Sequence, residues 1–305
     1  MRVARIGLID VDGHNFPNLA LMKISAYHKS IGDTVEWWWG WDHYDKVYMS
    51  KVFDETYSED LPDPANADVV VRGFTGYGLD NKLPYEIEHM MPDYSIYPEQ
   101  TKDTAYGFLS RGCPNNCGFC LVSCKEGRKS VKVADLTEWW TGQKNIVLMD
   151  PNLLACRDRV DLLQQLIDSK AWVDVNQGFD ACFLTEEIIG MINRIKLKEI
   201  HFAWDTMEKE QRVLAGLDLY KSIATRKPNG AWGTVYTLTN YNTTHDEDLY
   251  RIEVLRARGY DPYVMIYDKP NAPKITKMLQ RWCNNRRIFK ACPNFADYLK
   301  KEAEG

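Results

Sequence analysis

Three cysteines of this 305-residue chain fall on one short stretch, Arg111-Gly112-Cys113-Pro114-Asn115-Asn116-Cys117-Gly118-Phe119-Cys120, spaced C-x3-C-x2-C. Thiolates gathered this way suit soft metals. A cubane iron-sulfur cluster takes one thiolate per iron, so Cys113, Cys117 and Cys120 would leave the fourth iron open to a small chelating ligand. Zinc would require a fourth ligand, which Cys124 or a distant histidine could supply. Thiols that bind nothing are the plain alternative, and the clustering argues against it. Cys124, Cys156, Cys182, Cys283 and Cys292 are scattered and read as packed thiols, and no cysteine precedes residue 113.

The elements around this loop follow a repeating order. Candidate strands are Ala105 to Ser110, Asn145 to Asp150, Trp172 to Asn176, Glu199 to Trp204, Gly233 to Leu238 and Pro262 to Ile266. Between and after them fit helices at Asp135 to Thr141, Arg159 to Ser169, Thr185 to Ile195, Lys209 to Ala224, Asp246 to Arg258 and Pro273 to Asn284. Thr185 is a natural N-cap and Gly259 a natural stop. Six βα units predict a partial (β/α)6 TIM-type barrel over residues 101–270, with chemistry at the carboxyl ends of its strands. Ahead of it, strands at Val3 to Asp10, Thr34 to Trp37, Lys46 to Phe53 and Asp68 to Arg72, with a helix at Leu19 to Ser30, predict a small Rossmann-like α/β domain over 1–100. Residues 271–305 are expected to form a basic helical extension.

Composition sets outer limits. An apolar content of 45% supports a sizeable core, and a formal net charge of -5 gives no global pull towards nucleic acid or anionic lipid. Asp10 follows only a few apolar residues, and no apolar run approaches the ~20 residues of a membrane span. Neither export nor anchoring is expected, which places the cysteines in a reducing, cytoplasmic setting.

With Phe119 as its aromatic, the loop resembles the C-x3-C-x-aromatic-C signature of the radical S-adenosylmethionine (radical SAM) superfamily. The resemblance covers roughly the barrel. It implies a [4Fe-4S] cluster on Cys113, Cys117 and Cys120 whose open iron is chelated by SAM. It also implies reductive cleavage to a 5'-deoxyadenosyl radical that abstracts hydrogen from a substrate, and a reductant such as flavodoxin or ferredoxin. Residues 1–100 are similar to a shortened, degenerate form of the cobalamin-binding-type domain that precedes the barrel in one branch. Here Asp12-Gly13-His14 opens the cobalamin-ligating D-x-H-x-x-G pattern, yet Pro17 stands at its glycine position. Cobalamin is therefore not expected, and Trp37, Trp38, Trp39 and Trp41 read as core and interface residues. A cobalamin-dependent radical methyltransferase is the alternative enzyme. Sulfur insertion in the manner of methylthiotransferases is disfavoured, because those need three further cysteines before the loop.

The family's glycine-rich SAM-binding stretch is absent after the second strand, where Asp150 and Asn152 become the candidates. Gln177 and Asp180 follow the third strand, Asp205 the fourth, Thr237, Thr239 and Asn240 stand at the end of the fifth, and Tyr267 with Asp268 follows the sixth. Arg111 and Lys125 flank the loop and could tune its potential. Eight basic residues against Asp297 alone span residues 274 to 301, interleaved with Trp282, Phe289 and Phe295. A nucleotide or nucleic-acid substrate would suit that pattern, as would a solvated helix face, which is preferred. A non-catalytic zinc or nucleic-acid-binding module is the remaining alternative.

Overall fold

The computed structural model describes residues 2–13, 15–227 and 230–304. The chain forms two compact units, Met1–Asn116 with Leu121–Met149, and Cys117–Cys120 with Asp150–Gly305. The boundary expected at residue 100 lies inside the first unit, because the strand that follows it pairs with a strand at 145–148 of the same unit.

Among its described residues the first unit comprises β1 (Arg5–Asp10), α1 (Leu19–Ser30), β2 (Thr34–Trp37), β3 (Tyr44–Ser50), β4 (Ala67–Gly73), α2 (Tyr85–Glu88), α3 (Pro98–Thr101), β5 (Thr104–Gly107), β6 (Ser110–Arg111), α4 (Val122–Lys125), β7 (Val131–Lys132) and β8 (Asn145–Leu148). The first four strands make a parallel sheet in the order β2-β1-β3-β4. β1 is its buried centre, with Leu8 facing Trp37 on one side and Tyr48 on the other. α1 starts at Asn18, whose side chain accepts from the Leu21 N–H at 3.2 Å and donates to Ser50 at 2.7 Å. Its apolar residues Leu21 and Ile24 pack with Ile6, Leu8 and Ile87.

No helix crosses from β2 to β3. Residues 38–43 make that passage, and Trp38 packs with Tyr44, Val47 and Met49 where a crossover helix would otherwise lie. Such a short link cannot bury every indole it carries. Of the four tryptophans read as core and interface residues, Trp38 packs against this core, while Trp37, Trp39 and Trp41 are 41%, 60% and 88% exposed.

In the second unit lie α5 (Arg159–Ser169), β9 (Trp172–Val175), α6 (Glu186–Ile192), β10 (Lys196–Leu197), β11 (His201–Ala203), α7 (Glu210–Ile223), β12 (Thr234–Thr239), α8 (His245–Ala257), β13 (Asp261–Ile266), α9 (Lys274–Asn284), α10 (Arg286–Ala291) and α11 (Phe295–Glu304). β9 and β10 pair in parallel, and β11, β12 and β13 form a parallel sheet in that order. The strand-helix alternation is thus an α/β fold built on parallel sheets, as expected. Thr185 caps α6 by accepting from Ile188, and Thr244 and Glu247 close a reciprocal capping box on α8. Gly259, at φ +82, ends that helix turn in the left-handed region.

One expectation is corrected in these units, and one alternative loses its support. Residues 135–141 form only a single 3-10 turn, Leu136–Glu138, because Trp139 turns inward and is almost wholly buried. Trp282, Phe289 and Phe295 do not stand ready to stack on bases. They are buried with Ile252, Val264 and Leu279 beneath α9, α10 and α11, and the Trp282 indole donates to the Cys292 carbonyl at 2.8 Å. Basic neighbours such as Arg287 and Lys290 stay exposed on the outer side.

Gly107 closes β5, and a Cβ built there would stand 2.2 Å from the Trp139 ring. Gly107→Ala is expected to destabilise the chain by about 1 to 3 kcal/mol through overpacking, read as a lower urea midpoint at unchanged slope.

Candidate cluster loop and cofactor site

The cysteine loop has a closed neck. β6 and β7 pair antiparallel, matching Ser110 with Lys132 and Arg111 with Val131. Within it the Cys113 N–H donates to the Gly127 carbonyl at 3.1 Å, and the Gly112 N–H donates to Glu126 at 3.2 Å. Gly112 sits at φ +86 with the Lys129 carbonyl 2.2 Å from where a Cβ would be, so only glycine fits this turn. Arg111 is spent on this scaffold. It pairs with Glu126 at 3.1 Å and lies 3.9 Å over the Phe108 ring. Lys125 donates to the Thr75 hydroxyl and lies 4.4 Å over the Phe74 ring, and burial holds its ammonium below the usual range.

Cys117–Cys120 group with the second unit, and their contacts there are specific. The Cys120 N–H donates to the Cys117 carbonyl at 3.0 Å. Phe119 meets Tyr241 edge-on at 5.2 Å, and Tyr241 in turn meets Tyr267 at 4.9 Å. The Lys209 ammonium lies 3.9 Å from the Cys117 sulfur, placed to offset the charge of a thiolate. Sequence reasoning missed Lys209 and Tyr241. Only their place after β11 and β12 could have flagged them.

All three loop cysteines are half-buried. Their chemistry fits an iron-sulfur cluster: three soft thiols on one glycine-bearing loop, with backbone amides turned to loop carbonyls. Among the described residues no set of three or more His, Cys, Asp and Glu side chains stands gathered to hold a metal ion, so the fit rests on donor type and loop placement. Cys124, expected to be packed, is exposed at the short helix α4, whereas Cys156, Cys283 and Cys292 are buried. Burial pushes the Cys283 thiol up to about 12, which keeps it protonated and inert.

The polar candidates divide into two groups. Asn152 donates to Asp180 at 3.0 Å and accepts from the Ala155 N–H, while Asp180 accepts from the Cys182 N–H. The two therefore form one hydrogen-bonded unit after β8 and β9. Its own burial, and after it the nearby Asp180 carboxylate, push the Cys182 thiol up to about 11. Asp205, after β11, accepts from the Leu238 N–H at 3.2 Å. Buried Arg251 donates to the Trp204 carbonyl at 2.7 Å, to the Leu238 carbonyl at 2.6 Å and to Asp248 at 2.6 Å. Asp150 is fully buried, and Gln177 is exposed at the Gly178 turn. Thr237 is not brought to the others. It shares the helix-packed face of β12 with Val235, is fully buried, and bonds within its own strand.

The first unit offers a second candidate site. In the order β2-β1-β3-β4 the chain leaves β1 to opposite sides, so the carboxyl ends of β1 and β3 form a topological switch point. Asp12 fixes its rim by accepting from the Val52 and Phe53 N–H groups at 2.7 to 3.0 Å. Phe16 and Phe53 are 45% and 48% exposed there, leaving apolar surface a large planar ligand could cover. His14 lies outside the described residues.

No family model matches the chain, and no curated protein matches it. Solved structures do. A radical S-adenosylmethionine methyltransferase, TsrM from Kitasatospora setae, with cobalamin and a [4Fe-4S] cluster bound, aligns at a TM-score of 0.65 and 10% identity, covering 87% of this chain and 75% of that one. The same protein with tryptophan substrate and the SAM analogue aza-SAM bound aligns at 0.62 and 11%, covering 87% and 73%. This chain therefore has the fold of a radical SAM enzyme, and the likeness runs through both compact units. The expectation that excluded cobalamin is overturned, because it treated a broken histidine pattern as decisive while a protein of this same fold carries the corrin.

Burial holds the Asp205 carboxyl above the usual range, opposed by the Leu238 N–H and by Arg251 and Lys209. A raised acid favours folding fully below its unfolded value of about 4 and loses that contribution as pH rises through the folded value. Asp205→Asn is therefore expected to gain stability relative to the parent at pH 7, and the gain should shrink towards pH 4 in parallel urea titrations.

Proposed function

We propose that this chain is a cobalamin-dependent radical SAM methyltransferase. One observation carries the reading: a likeness to such an enzyme that extends over 87% of the chain, in a sequence that also bears the three-cysteine loop. Cys113, Cys117 and Cys120 would hold the cluster, and the crevice at the ends of β1 and β3 would hold the corrin. When bound, the cluster supplies an electron and a seat for SAM, and the corrin supplies a methyl carrier.

The remaining work falls to the chain's own groups. Lys209 offsets thiolate charge at Cys117, and Phe119, Tyr241 and Tyr267 pack ring to ring beside it. The Asn152–Asp180 pair offers polar contacts for the amino-acid end of SAM, with Asp150 and Gln177 beside it in sequence, and Asp205 offers an acceptor for ribose hydroxyls. Asp12 keeps the Val52–Phe53 backbone in place at the corrin crevice. A one-electron donor such as flavodoxin or ferredoxin completes the system.

Anaerobic reconstitution with iron, sulfide and hydroxocobalamin tests the reading. The expected result is about four irons per chain, a retained corrin absorption band, and methyl transfer from SAM. Cys117→Ala should lose the iron and keep the corrin. Iron retained without corrin, together with 5'-deoxyadenosine production, would replace the methyltransferase by a radical enzyme that abstracts hydrogen. Zinc in place of iron would remove the catalytic assignment.

A further inference from the structure

A lysine opens α7 where the helix itself gains nothing from it. Lys209 closes the 3-10 turn Met207–Lys209 and is the N-cap of this 14-residue helix, yet its side chain makes no capping bond. That position favours a short side chain accepting from the first amides, and a cation there opposes the helix dipole. Elsewhere the chain follows the preference: Asn18, Thr185 and Thr244 each accept from a backbone N–H of the helix they open. Lys209 instead carries its ammonium to 3.9 Å from the Cys117 sulfur.

The backbone from which this side chain reaches is firmly seated. Val213, Leu217 and Tyr220 of α7 are buried, and at Gly216 the helix lies so close to the Ala181 carbonyl that a Cβ would stand 2.0 Å from it. Tyr260 donates to the Leu217 carbonyl at 2.6 Å, and next to Lys209 itself Tyr250 donates to Glu210 at 2.6 Å. The same ammonium favours the ionised forms of Asp205 and Cys182, so its field reaches beyond the one sulfur. The two cations that flank the cysteine loop in sequence are committed elsewhere. Arg111 pairs with Glu126 at 3.1 Å and with Glu88 at 3.3 Å, and Lys125 donates to the Thr75 hydroxyl. The tuning expected of Arg111 and Lys125 therefore falls to a residue 92 positions from the thiol.

An iron-sulfur cluster becomes more negative by one charge when it is reduced, so a cation fixed at one of its sulfurs stabilises the reduced form more than the oxidised form. We propose that Lys209 sets the reduction potential of a cluster ligated by Cys117, raising it through the positive charge held at that sulfur. The step it governs is a single electron transfer. The external one-electron donor is oxidised by one electron, the cluster is reduced by the same electron, and no bond forms or breaks. Charge is the working property, because a contact of 3.9 Å is long for a hydrogen bond while Coulomb attraction falls only with the first power of distance. The inference rests on the iron-sulfur part of the radical SAM reading and is independent of corrin binding.

Redox titration of the anaerobically reconstituted chain at pH 7, followed by the electron paramagnetic resonance of the reduced cluster, tests this without turnover. Lys209→Met, and as a second variant Lys209→Gln, should each make the cluster about tenfold harder to reduce, a midpoint about 59 mV lower for a one-electron couple. Lys209→Arg should keep the parent's midpoint. Lys221→Met makes the same charge change in the last turn of α7, about 18 Å along the helix at 1.5 Å per residue, and should also keep it. A midpoint equal to the parent's in either neutral variant at equal iron content would overturn the proposal, even where affinity for SAM falls. So would a Lys209→Arg midpoint as low as that of Lys209→Met. A parent chain that takes up zinc, or no iron, would instead remove the radical SAM reading, and the potential with it.

Discussion

Parallel strands that end together leave their last carbonyls without strand partners, and here one buried guanidinium meets that constraint. Arg251 is wholly buried on α8, yet reaches the Trp204 carbonyl beyond β11, the Leu238 carbonyl on β12 and the Asp248 carboxylate one turn back. The Leu238 peptide is gripped on both sides, its carbonyl by Arg251 and its N–H by Asp205. Removing one partner from a buried pair of this kind costs about 3 to 5 kcal/mol. The position of Asp205, and of the loops leaving β11 and β12, depends on that guanidinium.

From that fixed point the loops take conformations that regular structure avoids. Asn240 and Asn242 after β12 and Asp268 after β13 all lie at positive φ, between 48° and 63°. Asparagine and aspartate bear this strain better than other non-glycine residues. The turn is used at once: Asn240 donates to the Tyr267 carbonyl at 2.9 Å, and Tyr241 and Tyr267 come ring to ring against Phe119. Strain in the backbone and aromatic contact around the cysteine loop are thus two sides of one geometry.

Much of this was legible in the chain's own pattern. α1 and α5 begin and end where their capping residues and apolar spacing indicate, and β9, β12 and β13 follow runs of Val, Ile and Tyr. The cysteine loop was legible because its spacing is local. What escaped depends on long-range register. Tyr236 and Tyr263 look like ordinary strand residues until β12 and β13 are aligned and their shared face appears. Trp282, Phe289 and Phe295 left a base-stacking alternative open among their lysines and arginines because helix spacing alone does not reveal which face α9, α10 and α11 cover. The corrin expectation failed for another reason. It asked one short motif to stand for a whole crevice, which backbone topology and apolar rim can form without it.

The Lys209 contact with Cys117 joins residues 92 positions apart in the chain. At synthesis rates of about 5 to 20 residues per second, roughly 5 to 20 s separate the emergence of the thiol from that of its cationic cover. Tyr241, which shields Phe119, follows later still. During translation the cysteine loop therefore spends an interval as an uncovered thiol cluster, open to metal delivery and equally open to oxidation. Assembly of the mature protein is in this sense a race between whatever reaches those thiols and the arrival of the chain's own second half.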